Sequence, residues 1–404
     1  MKDTYKKTPG RSQVFLHPLG GPGEARAGGA LRQLMLEATR LTRSGRLGEA
    51  TAVIQRALRG GAASVRQPAP TATPASGKEA AGGTAASDAK SPAESLVLDG
   101  CVFEVDTPAP AAATVDTGQF IHGSHTHAAL TRHYKLYIPP GANGRALPLV
   151  VMLHGCTQDP DDFATGTGMN ERARAQGFFV LYPAQSQDAN PSRCWNWFKH
   201  NHQRRAGGEA ALLASMAQAV TMQYGMDARR VYVAGLSAGG AMAAIVANVF
   251  PEVFAAVGIH SGLAQGAAGT MVEALAAMKS GGAGRVTAPA HASVPTIVFH
   301  GDQDQTVHPR NGEQVIAAAV QGTVEQGSTR VEHGVSSLGR RYTRTVHQDA
   351  LDRAVAEHWL VHGAGHAWSG GQAHGSYTDP KGPNATDEML RFFLGSGDRL
   401  GQNK

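Results

Sequence analysis

The sequence predicts an α/β protein with a mostly parallel central sheet and helices on both faces, and three observations predict it. Continuous apolar runs recur from about residue 147 to residue 366, most of them ending at Gly, His or Ser, as suits strands buried on both faces. Segments long enough for a helical crossover separate most of these runs. One run, "RVYVAGLSAGG" at 230–240, passes from a strand pattern through a Gly-Ser-Gly turn into a helix pattern.

In chain order, the N-terminal region 1–60 comes first. Leu31, Leu34, Met35, Ala38 and Leu41 share one helical face, and after Ser44-Gly45 so do Leu47, Ala50, Ile54, Ala57 and Leu58. This predicts a short helical hairpin. Its second half, "SGRLGEATAVIQRAL", resembles half of a tetratricopeptide unit, but no further copy follows at the spacing of about 34 residues such units keep. The hairpin is therefore either a docking or oligomerisation device, for a granule surface or a protein partner, or a helical decoration. Residues 61–96 are rich in Ala, Pro, Gly and Ser without periodicity, which predicts a flexible, disordered linker. The α/β domain is then expected over 97–398.

Within that domain "RHYKLYIPP" (132–140) alternates like a half-buried strand. Continuous strands are expected at 147–155, 178–185, 230–237, 254–262, 294–302 and 356–366. Helices are expected in "DPDDFATGTGMNERARAQ", "EAALLASMAQAVTMQYG", "GGAMAAIVANVFPE" and "NATDEMLRFFLG", the last capped by Asn384 or Thr386. Ligands of such sheets bind where the strands end at their carboxyl termini, so the polar residues closing the runs mark one rim.

Composition limits the function classes. With 404 residues, 42% hydrophobic and 17% charged, the chain can bury one large core and carry appendages. The net charge of +5 is spread out, with Arg204-Arg205 and Arg340-Arg341 as the tightest basic pairs, so a solvated surface is expected and nucleic acid is not a partner. No apolar run reaches the roughly 18 residues a membrane span requires, and the basic N-terminus has no apolar leader core. A soluble protein of the cytoplasm is the expectation.

Gly235-Leu236-Ser237-Ala238-Gly239 fits G-x-S-x-G, the sharp strand-to-helix turn that lifts a serine above an α/β-hydrolase sheet. A serine hydroxyl needs a base to take its proton, and the base needs an acid to fix its tautomer; in this fold the chain order is Ser, acid, His. "FHGDQDQTVHP" offers Asp302 and Asp304, and Asp304 is preferred because it stands out on the loop with Val307 to anchor it. "VHGAGHAWSGG" offers His362 and His366. His366, among glycines and small residues, is the expected base, and His362 the expected core residue. The developing oxyanion needs backbone donors, expected at Ala238, on the helix start, and at Cys156 in "LHGCTQ".

Five segments taken together, "LHGCTQDPDDFATGTGMNERA", "CWNWF", "GLSAGGAMA", "FHGDQDQTVHP" and "GAGHAWSGG", resemble the polyhydroxybutyrate depolymerase family of esterases, which is related to feruloyl and acetylxylan esterases. The resemblance covers roughly residues 118–395. It implies a serine esterase acting on acyl or hydroxyacyl esters or polyesters, with Ser237, Asp304 and His366 as catalytic triad and no cofactor. Feruloyl or acetylxylan esterase is the alternative within that chemistry, and a granule-associated scaffold using the hairpin is the alternative outside it. Many relatives are secreted, which is the alternative to the cytoplasm.

The resemblance also favours a Cys156–Cys194 disulfide, whereas the missing leader favours two reduced thiols. Cys101 is expected to be a spectator. Trp195 and Trp197, two apart, and Trp368, two residues after His366, are candidates for an apolar substrate wall, with core packing as the alternative; Trp359 is expected in the core. His122, His125, His127 and His133, with His200 and His202, lack accompanying carboxylates at a ligand spacing, so no metal site is expected.

Overall fold

The computed structural model describes residues 117–282, 294–321 and 327–397. The predicted hairpin within 1–60, the linker at 61–96 and Cys101 lie outside the described residues.

The chain enters through an antiparallel hairpin, β1 (Gln119–His127) and β2 (Leu130–Ile138), and then lays down β3 (Leu149–Leu153). Helices α1 (Pro160–Thr167) and α2 (Met169–Gln176) lead to β4 (Phe179–Pro183). The segment expected as one helix is thus two, because Gly168 between them adopts φ 62° and ends the first. Asp159 caps α1, its carboxylate accepting from the Asp161 and Asp162 amides. After α3 (Gly208–Gln223) come β5 (Val231–Leu236), α4 (Ala238–Val249) and β6 (Ala256–His260). Helix α5 (Met271–Ser280), β7 (Thr296–Gly301) and α6 (Arg310–Val320) follow. A second hairpin, β8 (Thr329–Val335) and β9 (Arg341–Gln348), precedes β10 (Ala354–Val361). The short pair β11 (Trp368–Ser369) and β12 (Thr378–Asp379) and helix α7 (Ala385–Gly397) complete the described chain. Asn384 caps α7, accepting from the Asp387 amide, while Thr386 takes the Trp368 indole N–H instead.

Ten strands form one sheet in the order β1-β2-β4-β3-β5-β6-β7-β10-β9-β8. The middle, from β4 to β10, is parallel, and each antiparallel hairpin closes one side. Strand β3 shows how the core is divided. Leu149, Val151 and Leu153 face the layer of α3 to α6 with Leu213, Met242, Ala274 and Val315; Val150 and Met152 face α1, α2 and α7 with Phe163, Met169, Met389 and Phe393. Because both faces are covered, β3 to β7 are buried throughout or nearly so, which is why their sequences read as unbroken apolar runs. The chain leaves β3 for β4 on one side and returns to β5 on the other, so the strand order reverses between β3 and β5. A crevice opens at the carboxyl ends of strands at such a reversal.

Among the described residues no helix is long and apolar enough to cross a membrane.

Candidate active site

Ser237 occupies the one-residue turn from β5 into α4, with φ 58° and ψ −119°. A non-glycine residue in this region costs about 1–3 kcal/mol and persists only where its surroundings enforce it. Here they do. A Cβ at Gly239 would lie 2.0 Å from the Leu153 carbonyl oxygen, and one at Gly235 would lie 2.4 Å from the Gly239 carbonyl carbon. Both glycines of the motif are therefore required by contact with neighbouring backbone. The Ser237 amide donates to the His260 carbonyl at 2.9 Å, fixing the turn to the end of β6. Ser237 is 8% exposed.

Across the strand reversal, the loop after β3 has its amides largely committed. Gly155 N–H donates to Gln158 Oε1 (2.9 Å), Thr157 N–H to Ser192 O (2.7 Å) and Gln158 N–H to Gly155 O (3.4 Å). Among the described residues the amides of Cys156 and Ala238 have no such acceptor. The loop is clamped to residues 185–195. Cys156 and Cys194 are disulfide-bonded, the Trp195 indole donates to His154 O (3.1 Å), and His154 Nε2 accepts from the Gln185 amide (3.1 Å). Burial holds His154 neutral, with its pKa lowered to about 4, which suits an accepting Nε2.

Glu209, fully buried at the start of α3, anchors this clamp from below. It accepts from Gln185 Nε2 (2.6 Å), the Asn196 amide (2.7 Å), Asn196 Nδ2 (2.8 Å) and Arg132 Nη2 (3.3 Å). Burial alone would raise its pKa, but the hydrogen bonds from His202, Gln185 and Asn196 outweigh it and hold the carboxyl below its ordinary value.

On the other side of Ser237, Asp304 follows β7 and meets the imidazole of His366, Oδ2 to Nδ1 at 2.7 Å. Its Oδ1 accepts from the Thr306 (2.9 Å) and Val307 (2.8 Å) amides. Burial would raise the Asp304 pKa; hydrogen bonds from His300 and His366 overcome that and keep it well below the usual carboxylate range. An ionised Asp304 can only accept, so His366 donates from Nδ1, and the neutral imidazole then carries its free lone pair on Nε2. Among the described residues no hydrogen bond joins Ser237 Oγ to His366.

Two residues that sequence reasoning did not select organise this half. His260 is buried at the end of β6, its carbonyl accepting from the Ser237 amide and its Nε2 from the Ser369 amide (2.9 Å), three residues after His366. Its ring stacks between Trp368 (5.2 Å) and Phe299 (5.8 Å). Burial is the main cause that lowers its pKa to about 3. Its sequence signal was a histidine closing the run "FAAVGIH". Asp302, set aside above, accepts from the Gly363 amide (2.7 Å) and from His362 Nδ1 (3.0 Å), holding the base of the turn that carries His366.

Two expectations are corrected. Trp195, Trp197 and Trp368 do not form a surface wall: they are 0%, 5% and 1% exposed and pack in the cores on either side of the sheet. Spacing along the chain does not disclose depth, and the polar ends of Trp195 and Trp368 are satisfied internally by His154 O and Thr386 Oγ1. His362 is not a core residue. Strand β10 stops at Val361, leaving His362 beyond it with a side chain 32% exposed and bonded to Asp302 and to Thr343 Oγ1 (2.8 Å). A cleft of about 530 Å³ elsewhere on the molecule, lined by Lys135, Asp159, Asp161, Arg193 and the back of His154, does not include Ser237.

The strained serine, the reversal of strand order and the loop-borne Asp–His pair are the parts of an α/β-hydrolase. Residues 132–344, just over half of the 404-residue chain, match the model of the esterase PHB depolymerase family. The chain belongs to that family. Among its relatives, the poly(3-hydroxyalkanoate) depolymerase C of Paucimonas lemoignei is 30% identical over 241 residues, covering 57% of this chain and 57% of the relative. The poly(3-hydroxybutyrate) depolymerase of Ralstonia pickettii is 30% identical over 284 residues, 65% of this chain and 57% of the relative. The chain thus spans 57% of the length of each of these depolymerases. An acetyl xylan esterase from Aspergillus awamori superimposes with a TM-score of 0.52 at 19% identity, covering 68% of this chain and 99% of that one, a likeness of fold.

Proposed function

We propose that this member of the PHB depolymerase family is a serine esterase that cleaves (hydroxy)acyl esters through an acyl-enzyme, with Ser237 as nucleophile, His366 as general base and Asp304 as its orienting acid. The 2.7 Å bond between Asp304 and His366 Nδ1 carries the reading, since it leaves Nε2 as the free base on the rim where Ser237 is held. Nε2 takes the Ser237 proton as Oγ attacks the ester carbonyl. The oxyanion that forms accepts from the Cys156 and Ala238 amides, each such donor contributing about 10²–10³ in rate. His366 returns the proton to the departing alcohol, and a water activated by the same nitrogen releases the acid. The hydroxyl-to-imidazole bond forms on substrate binding, since catalytic hydrogen bonds in free enzymes are often long and tighten only in the complex.

The relatives' names favour a poly(3-hydroxyalkanoate) as substrate, and the domain over 97–398 is proposed as the catalytic unit. Ser237→Ala tests the chemistry: hydrolysis of p-nitrophenyl butyrate falls by about 10⁴-fold or more while the circular dichroism spectrum is unchanged. Retained turnover in that variant ends the reading. The substrate is tested by comparing amorphous poly(3-hydroxybutyrate), hydroxybutyrate oligomers, methyl ferulate and acetylated xylan with the unaltered protein; preference for either of the last two assigns it to the plant-polymer esterases instead.

A further inference from the structure

With the tryptophans buried, the aromatic ring that reaches the site's rim is that of Tyr377. It is 46% exposed, and its ring stands edge-on to His366 with centroids 6.5 Å apart. Its phenol lies 3.2 Å from Thr157 Oγ1, on the residue next to the Cys156 amide. Thr157 Oγ1 donates to the Cys156 carbonyl, so in this pair Tyr377 is the donor. The side chain therefore bridges the proposed base and the proposed oxyanion loop.

That placement is enforced from both ends. Tyr377 has φ 52° and Thr157 φ 66°, left-handed conformations that bulky or β-branched residues seldom adopt. The preceding residues are pinned to α1 and the oxyanion loop: the Ser376 amide donates to Asp162 Oδ1 (2.8 Å), Gln158 Nε2 donates to Ser376 O (3.2 Å), and the Gln372 amide donates to Gly166 O (2.8 Å). Gly375 packs so closely on Gly166 that a Cβ there would lie 2.2 Å from the Gly166 Cα. The Trp368 amide donates to the Tyr377 carbonyl at 2.7 Å, two residues after His366. A large apolar ring held out at this cost, beside the reacting groups, has the geometry of a substrate contact.

We infer that Tyr377 is a specificity-determining residue, its ring packing against the acyl part of the ester beyond the second carbon and favouring substituted or longer acyl groups over acetyl. This rests on the esterase reading of the same site. The ratio of kcat/KM for p-nitrophenyl hexanoate to that for p-nitrophenyl acetate measures it, with the corresponding ratio for a 3-hydroxybutyrate dimer ester alongside. Tyr377→Asn, a residue that accepts the left-handed backbone, lowers both ratios by about tenfold, the loss of a few buried methylene contacts. Tyr377→Phe keeps the ring and so keeps both ratios within about twofold of the unaltered enzyme, although it removes the bond to Thr157. Ratios unchanged in Tyr377→Asn, or lowered equally in both variants, overturn the inference. Ser237→Ala assayed in parallel separates the two failures: if it abolishes turnover while the ratios in Tyr377→Asn do not move, only the role of Tyr377 is lost.

Discussion

Around Ser237 the chain is held by what it lacks: at Gly235 and Gly239 one added carbon would meet backbone atoms 2.4 and 2.0 Å away, and the neighbouring loop is cross-linked through Cys156 and Cys194. Around His366 the chain is held by charge. Asp304 and Asp302 each accept from an imidazole and from backbone N–H groups. The first half is a steric mould and the second an electrostatic one, so size should break the former and loss of charge the latter.

The largest expected effect is on the electrostatic half. Asp304→Asn preserves shape but lets His366 adopt the wrong tautomer, and kcat falls by about 10⁴-fold, or about 5.5 kcal/mol. Steady-state kinetics against p-nitrophenyl butyrate measure it, and a loss under tenfold would mean that the carboxylate is not the orienting acid.

Next comes acid. His154, His260 and His358 are buried with pKa values lowered to about 4, 3 and 4, burial being the main cause for each. Below about pH 6.5 the unfolded chain protonates them while the folded chain does not, so the unfolded state binds more protons and stability falls as pH drops toward 4. Each contributes a slope of about 1.4 kcal/mol per pH unit in that window. Urea midpoints measured from pH 7 to pH 5 should decline steeply, and less steeply in His358→Leu, whose native Nε2 is buried without a partner among the described residues. A flat profile would show that these rings are charged when folded.

The steric half is tested by Gly239→Ala, expected to destabilise by about 3 kcal/mol, since the new methyl must displace the end of β3. A melting temperature equal to that of the unaltered protein would contradict the tight contact. The smallest effect is expected from Asp302→Asn. Asp302 does not touch His366, and losing its charge weakens the Gly363 and His362 hydrogen bonds by about 1 kcal/mol, seen as a fall in kcat of a few-fold. Equal losses in Asp302→Asn and Asp304→Asn would erase the distinction between the two carboxylates.

The same division explains what was legible in the sequence. Strands β3 to β7 and β10 read clearly because burial leaves mostly apolar residues, whereas β8 and β9, with sequences "TRVEHGV" and "RYTRTVHQ", are largely exposed or half-exposed and carry no such run. Helix α5 carries a signal of its own, with Thr270 capping it through the Glu273 amide and Gly281 ending it, whereas the break at Gly168 lies inside a segment of helical composition. Ser237, Asp304 and His366 could be selected because each stands where an apolar run ends. His260 ends a run as well, yet acts through its carbonyl and a back-side hydrogen bond, roles that residue type does not disclose. Tyr377 gave no signal, because the role inferred for it rests on a backbone conformation and on a partner, Thr157, far away in the chain.

The donor proposed at position 156 belongs to the main chain, while the side chain of the same residue forms the crosslink to Cys194. Placement and chemistry are therefore separable at a single position. Replacing the cysteine leaves the N–H in being and loosens only its aim, and proline alone would delete it. Rate lost on reducing the bridge, and regained when it is reoxidised, would then measure how tightly an amide dipole must be pointed for this reaction to run.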